Sequence, residues 1–323
     1  MFKIAPGDSR IPSRRQVPLG LHPDEDRRKP LWLEGDPSAL SHRSIGIVGT
    51  RRPSAHGLSV ARSMAAFCVD RGWAVVSGVA RGIDEAAHEA ALSAGGVTIG
   101  VLPSPPPSGL RQGARRLASR MTITGALISD RPPGTPPAAW SFVTRNGLLA
   151  ALCDGVIVVE APEESGALIT AEAASDLGLP IAFATAPYGS TSAAGGLSWL
   201  ARAAKPTLFP PEAPQPHLLA DEHGLEGWLK LCEASLREDT AVFVSKVERF
   251  TEPPAPHGIR GAVLQALAQA GAAGLTEGDL LSVGMDLEPA LPAALTMLAL
   301  QGLAEQRGGR WRLCEGAVLR SRE

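Results

Sequence analysis

The chain has 323 residues, 44% of them hydrophobic and 4% aromatic, with a formal charge of −2. That length suits one large domain plus one or two small ones, with a core drawn mainly from Ala, Leu and Val. No apolar run approaches the roughly 20 residues that cross a bilayer, and Cys68, Cys153, Cys232 and Cys314 stand too far apart for a CxxC zinc site or a dense disulfide framework.

The N-terminus lacks the apolar stretch of a signal peptide, so the expected location is the cytoplasm, with no membrane partner. The net charge does not advertise a nucleic-acid binder, but its distribution is uneven. Residues 41–210 carry 14 Lys and Arg against 11 Asp and Glu, while the remainder carries 17 against 22. A mildly basic centre between acidic flanks is consistent with an anionic ligand, and equally with chance.

Residues 1–40 hold scattered charges and prolines and read as an irregular arm in which only Leu31 to Leu33 looks buried. From Ser44 the pattern alternates. Ile45 to Val48 is a short apolar strand, and Leu58 to Val69 an amphipathic helix. Ala74 to Val76, Val97 to Leu102, Ala126 to Ile128, Val156 to Val159 and Ile181 to Ala184 continue the strands. Ile83 to Leu92 and residues 146–153 and 166–177 supply further helices. Strands alternating with helices give an α/β domain over 41–210, a parallel sheet with helices on both faces, and ligands at the carboxyl ends of its strands. Residues 211–256 are proline-rich at both ends and read as a linker with an embedded helix over Leu218 to Leu236. Residues 257–323 form a small separate unit: three helices, Thr276 capping the second, then strands flanking Gly308 and Gly309 in a hairpin turn. That order describes a winged helix.

Four segments around the strand ends carry the chemistry. Gly49, Thr50, Arg51 and Arg52 follow the first strand, and Gly57 lies at the start of the next helix. A glycine turn into a helix N-terminus favours an anion, and Arg51 adds a bidentate phosphate donor. A plain turn with solvated arginines fits the same residues. Ser77, Gly78, Arg81 and Gly82 follow the second strand, with Asp84 placed to cap a helix and to meet His88 one turn on. Phe142, Arg145 and Asn146 put an aromatic beside an arginine, the pairing that holds single strands; a core Phe142 and an acid-paired Arg145 are the plain alternative. Glu160, Ser165 and Gly166 form a third strand–loop–helix junction. Arg111, Arg115, Arg116 and Arg120 share i, i+4 spacing and read as one basic helix face, solvated by default. No nucleophile–base pair, metal cluster or carboxylate constellation stands at a usable spacing, so neither catalysis nor a cofactor is expected.

Together the four segments resemble the DprA/Smf family over roughly residues 30–210, on Val48 to Arg51, Ser77 to Asp84 with His88, Phe142 with Arg145 and Asn146, and Glu160 with Ser165 and Gly166. Leu31 to Asp36 resembles the segment leading into that family's first strand. The resemblance implies an extended Rossmann-like fold without dinucleotide chemistry, a homodimer that binds single-stranded DNA, and loading of RecA recombinase during natural transformation. It makes Arg51 a phosphate ligand and places Phe142 and Arg145 in the same pocket. The chain departs from the family at Leu102 to Gly109, which lacks a Tyr-Pro pair, and at Gly147, where a second arginine is usual. The rival reading is a nucleotide-ligand sensor or phosphoribohydrolase of the wider Rossmann-like superfamily. Such enzymes rely on a glycine-rich PGGxGTxxE motif, and Ala161 to Gly166 lacks its glycines.

Overall fold

A computed structural model describes residues 2–4, 31–137, 139–163, 165–203 and 215–235, and, in the C-terminal part, 263, 266–267, 269–283, 291, 295, 298, 304–307 and 309–313. The chain divides into two units, residues 1–204 with 213–244, and residues 205–212 with 245–323.

The first unit is built on strands β1 (Phe2–Ile4), β2 (Leu31–Gly35), β3 (Ser44–Val48), β4 (Ala74–Ser77), β5 (Thr98–Val101), β6 (Ala126–Ser129), β7 (Gly155–Val158), β8 (Ile181–Ala184) and β9 (His217–Leu219). They form one nine-stranded sheet in the order β1-β2-β6-β5-β4-β3-β7-β8-β9. The β2 strand runs antiparallel to both β1 and β6, and every other pairing is parallel. Strands β3 to β8 are buried along their whole length. That explains their continuous apolar runs: helices cover both faces of a parallel sheet.

The helices are α1 (Ala55–Asp70), α2 (Ile83–Ser93), α3 (Arg115–Thr124), α4 (Ala139–Ala151), α5 (Gly166–Asp176), α6 (Ala194–Ala203) and α7, residues 222–235. Ser54 caps α1 by accepting from Gly57 N, and Ser165 caps α5 by accepting from Ala167 N. The chain winds from β3 out to β6 on one side, then returns to β7 on the other side of β3. The strand order therefore reverses between β3 and β7, and the carboxyl ends at such a switch point are where ligands of open α/β sheets bind.

Two sequence readings change. The arm at 1–40 contributes β1 and β2 to the sheet, with Leu31 and Leu33 fully buried; residues 5–30 lie outside the described residues. The stretch read as a linker is not one between 217 and 235. Strand β9 extends the sheet beside β8, and α7 inserts Leu225, Trp228, Leu229 and Cys232 into the main core with Ile45, Phe67 and Trp73. Ion pairs Arg71–Glu226 and Arg43–Glu233 fasten the helix at its rim. Prolines before β9 obscure a segment whose apolar spacing fits the core. Residues 236–256 lie outside the described residues.

In the second unit Val263, Leu267, Leu280, Leu291, Leu295, Leu298 and Trp311 form a separate core. Helix α8 (Glu277–Val283) is opened by a reciprocal cap, Asp279 N donating to Thr276 Oγ1 and Thr276 N to the Asp279 carboxylate. Strands β10 (Ala304–Arg307) and β11 (Arg310–Leu313) form an antiparallel hairpin. Leu291, Leu295 and Leu298 are helical and buried; the remainder of the third helix expected at 288–302 lies outside the described residues.

Candidate nucleic-acid interface

Three loops meet at the switch point, and backbone hydrogen bonds tie them together. Thr50 N donates to the Glu160 carbonyl at 2.7 Å, and Ile83 N to the Thr50 carbonyl at 3.3 Å. The approach is so close that a Cβ on Gly49 would fall 2.6 Å from the Ile83 side chain and 2.9 Å from the Glu160 carbonyl. Gly82 has φ +96 and lies against the Thr50 carbonyl, so only glycine suits it. Val79, at φ +57, is a β-branched residue in the left-handed region. Such backbone costs on the order of 1–3 kcal/mol and marks an over-determined turn.

The N-terminus of α1 is occupied by the protein itself. The buried Glu160 carboxylate accepts from Ser54 N at 2.9 Å and from Ser54 Oγ at 2.5 Å. A Cβ on Gly57 would meet that carboxylate at 2.4 Å. Gly57 therefore makes room for Glu160, a long-range partner that gives no local sequence signal, and the anion at this helix end is internal.

Beneath the loops, Arg145 is 6% exposed and Asp84 5%. Both reach the bare face of Gly78, where a Cβ would fall 1.5 Å from Arg145 Nη1 and 2.7 Å from Asp84 Oδ2. Burial pushes the Asp84 carboxyl up and the Arg145 guanidinium down from their ordinary ranges, each opposed by the charge of the other. Arg145 is thus buried within reach of the charge of Asp84, and Asn146 Nδ2 donates to the Gly166 carbonyl at 3.1 Å, joining α4 to α5. Ser77 is fully buried with its hydroxyl on the Ile47 carbonyl. The bond considered between Asp84 and His88 does not form. His88 Nδ1 lies 2.7 Å from Thr98 Oγ1, whose own proton goes to the Val75 carbonyl. Nδ1 therefore carries the hydrogen of a neutral imidazole.

Above this scaffold Arg51, Arg52 and Arg81 are exposed. The Arg51 guanidinium lies 5.8 Å from the centre of the Phe142 ring, and Phe142 is 38% exposed. A cation over a half-open aromatic face offers one surface to a phosphate and another to a base. Gly166 is exposed, with nothing near its bare face, and Ser165 is engaged as a cap. The structure thus brings the selected residues together in two layers: Gly49, Thr50, Ser77, Gly78, Gly82, Arg145 and Asn146 build the floor, and Arg51, Arg52, Arg81 and Phe142 face outward.

This arrangement has relatives. The family model described as DNA recombination-mediator protein A matches residues 4–212. The chain belongs to that family. Recombination-mediator relatives include the putative DNA processing protein DprA of Mycobacterium tuberculosis, 35% identical over 299 residues, 88% of this chain and 68% of that protein. DprA of Bacillus subtilis is 40% identical over 174 residues, 53% of this chain and 59% of its own. Among solved structures, DprA of Streptococcus pneumoniae superposes with a TM-score of 0.59 at 25% identity, covering 70% of this chain and 73% of that one. DNA processing protein A of Helicobacter pylori gives 0.55 at 24%, covering 68% and 93%. The Rossmann-like mediator fold is thereby shared, and no described helix is long and apolar enough to cross a membrane.

Proposed function

We propose that this chain binds single-stranded DNA at the carboxyl ends of β3, β4 and β7, acts as a homodimer, and loads RecA recombinase onto the strand in the cytoplasm. The observation that carries the DNA assignment is the Arg51–Phe142 pair, open to solvent at the switch point above a buried Arg145–Asp84 floor. The H. pylori relative is described as having a unique single-stranded DNA binding mode, which supports the same ligand here. Phe142 offers stacking that any unpaired base satisfies, whereas a duplex keeps its base faces stacked away. Arg145 acts in this reading as a positioning residue beneath the contact surface. The nucleotide-sensor reading gains nothing from the geometry, because Glu160 fills the α1 N-terminus that a mononucleotide phosphate would use.

The test is a mobility shift with single- and double-stranded oligonucleotides of one length across a salt series. Tighter binding of the single strand at every salt concentration is expected. Equal binding of the two forms would overturn the assignment.

A further inference from the structure

The two sides of the switch point differ sharply in charge. Residues 43–145, which hold β3 to β6, contain 12 Arg against five Asp and Glu, whereas residues 146–193, which hold β7 and β8, contain six Asp and Glu and no Lys or Arg. The sheet order β5-β4-β3 places the loops after these strands in one line along the carboxyl edge. Arg51 and Arg52 follow β3, Arg81 follows β4, and Arg111 and then α3 follow β5. Arg111 bonds Glu85 in the first turn of α2, which brings the start of α3 beside the Arg81 loop.

Helix α3 buries Leu117, Ala118 and Met121 and leaves Arg115, Arg116 and Arg120 exposed. It contains no acidic residue, and none of the three arginines is in an ion pair among the described residues. Two cations in the first turn oppose the helix dipole, and Arg116 and Arg120 repel each other one turn apart. A face that works against its own helix is poorly explained as solvated surface. Across the switch point the edge is instead apolar: Tyr188, Leu197 and Leu218 are exposed around a cavity of about 390 Å³ beside Phe183.

We infer that a single strand held at Arg51 and Phe142 continues past Arg81 onto Arg115, Arg116 and Arg120, running toward the β5 side of the sheet and away from β8. This rests on the switch-point reading above. Its contacts are to phosphates, so they add affinity without sequence preference and release counterions.

The experiment compares the full chain with a triple variant, Arg115→Gln, Arg116→Gln and Arg120→Gln, by fluorescence anisotropy across a salt series. The probes are an oligothymidylate of about 5 nucleotides and one of about 20. The variant should bind the short strand like the parent. For the long strand its slope of log affinity against log salt should flatten by about 2, at roughly 0.7 per lost phosphate contact. An Arg62→Gln control, on the exposed side of α1, should leave both slopes unchanged. A parent that ignores the short strand overturns the switch-point reading and the track with it. A parent that binds the short strand, with a long-strand slope unchanged in the triple variant, overturns the track alone.

Discussion

At the scale of single residues, the site depends on groups whose partners are distant in sequence. The Asp84 charge opposes the desolvation of Arg145 beside the bare face of Gly78. Asp84→Asn should remove that charge from beside the buried guanidinium and lower stability in urea denaturation. Gly78→Ala should cost about 1–3 kcal/mol by driving the guanidinium off its seat; a neutral outcome for both would refute the floor described above. His88 gives a pH signature. Burial lowers its pKa from the ordinary value of 6.5 to about 3. Between those values the unfolded chain binds the proton and the folded chain does not, so stability falls as pH drops through that window. The loss should reach ~1.4 kcal/mol per pH unit. His88→Leu should remove this contribution, visible as a shallower dependence of the urea midpoint on pH; identical profiles would count against the assignment. The sequence made the candidate residues legible because glycines and arginines punctuate the ends of β3 and β4. It could not separate floor from surface. Arg145 is buried beside Asp84 and Gly57 makes room for Glu160, in each case a residue far away in the chain, so both read as ligands although both serve the scaffold.

At the scale of elements, the parallel strands were legible because burial on both faces writes continuous apolar runs. Helix α4 begins earlier than the residues 146–153 expected for it, which puts Phe142 and Arg145 one turn apart on a helix. In α6, Gly195 admits the Pro162 carbonyl, 2.5 Å from where its Cβ would stand, and Gly196 packs against Phe183. Their smallness serves the chain's own sheet. The linker is the instructive case: the helix expected over Leu218 to Leu236 is present as α7, but the prolines around it hid that its apolar spacing serves the main core. Trp228, 2% exposed, should cost about 3–5 kcal/mol on replacement by Ala. A chain ending at residue 216 should fail to fold cooperatively in a thermal melt, whereas one ending at 244 should fold. Cooperative folding of the shorter chain would restore the linker reading.

At the scale of the whole molecule, two units with separate cores imply a division of labour. The expected third helix of the C-terminal unit, at 288–302, contains no Lys or Arg, and groove readers need phosphate contacts. Removal of residues 245–323 should therefore leave single-strand affinity within a few-fold of the parent by mobility shift; a large loss would move the binding surface into that unit. In the proposed complex Arg51 and Phe142 present one cationic and one stacking contact to the same strand. The most direct measurement is the salt dependence of single-strand affinity for the parent, Arg51→Ala and Phe142→Ala. Arg51→Ala should lose about 1.5–3 kcal/mol, roughly ten- to hundredfold, and flatten the slope of log affinity against log salt by about 0.7. Phe142→Ala should lose about 1–3 kcal/mol with the slope unchanged. A folded Arg51→Ala variant that binds as tightly as the parent, on the parent's slope, would contradict the account.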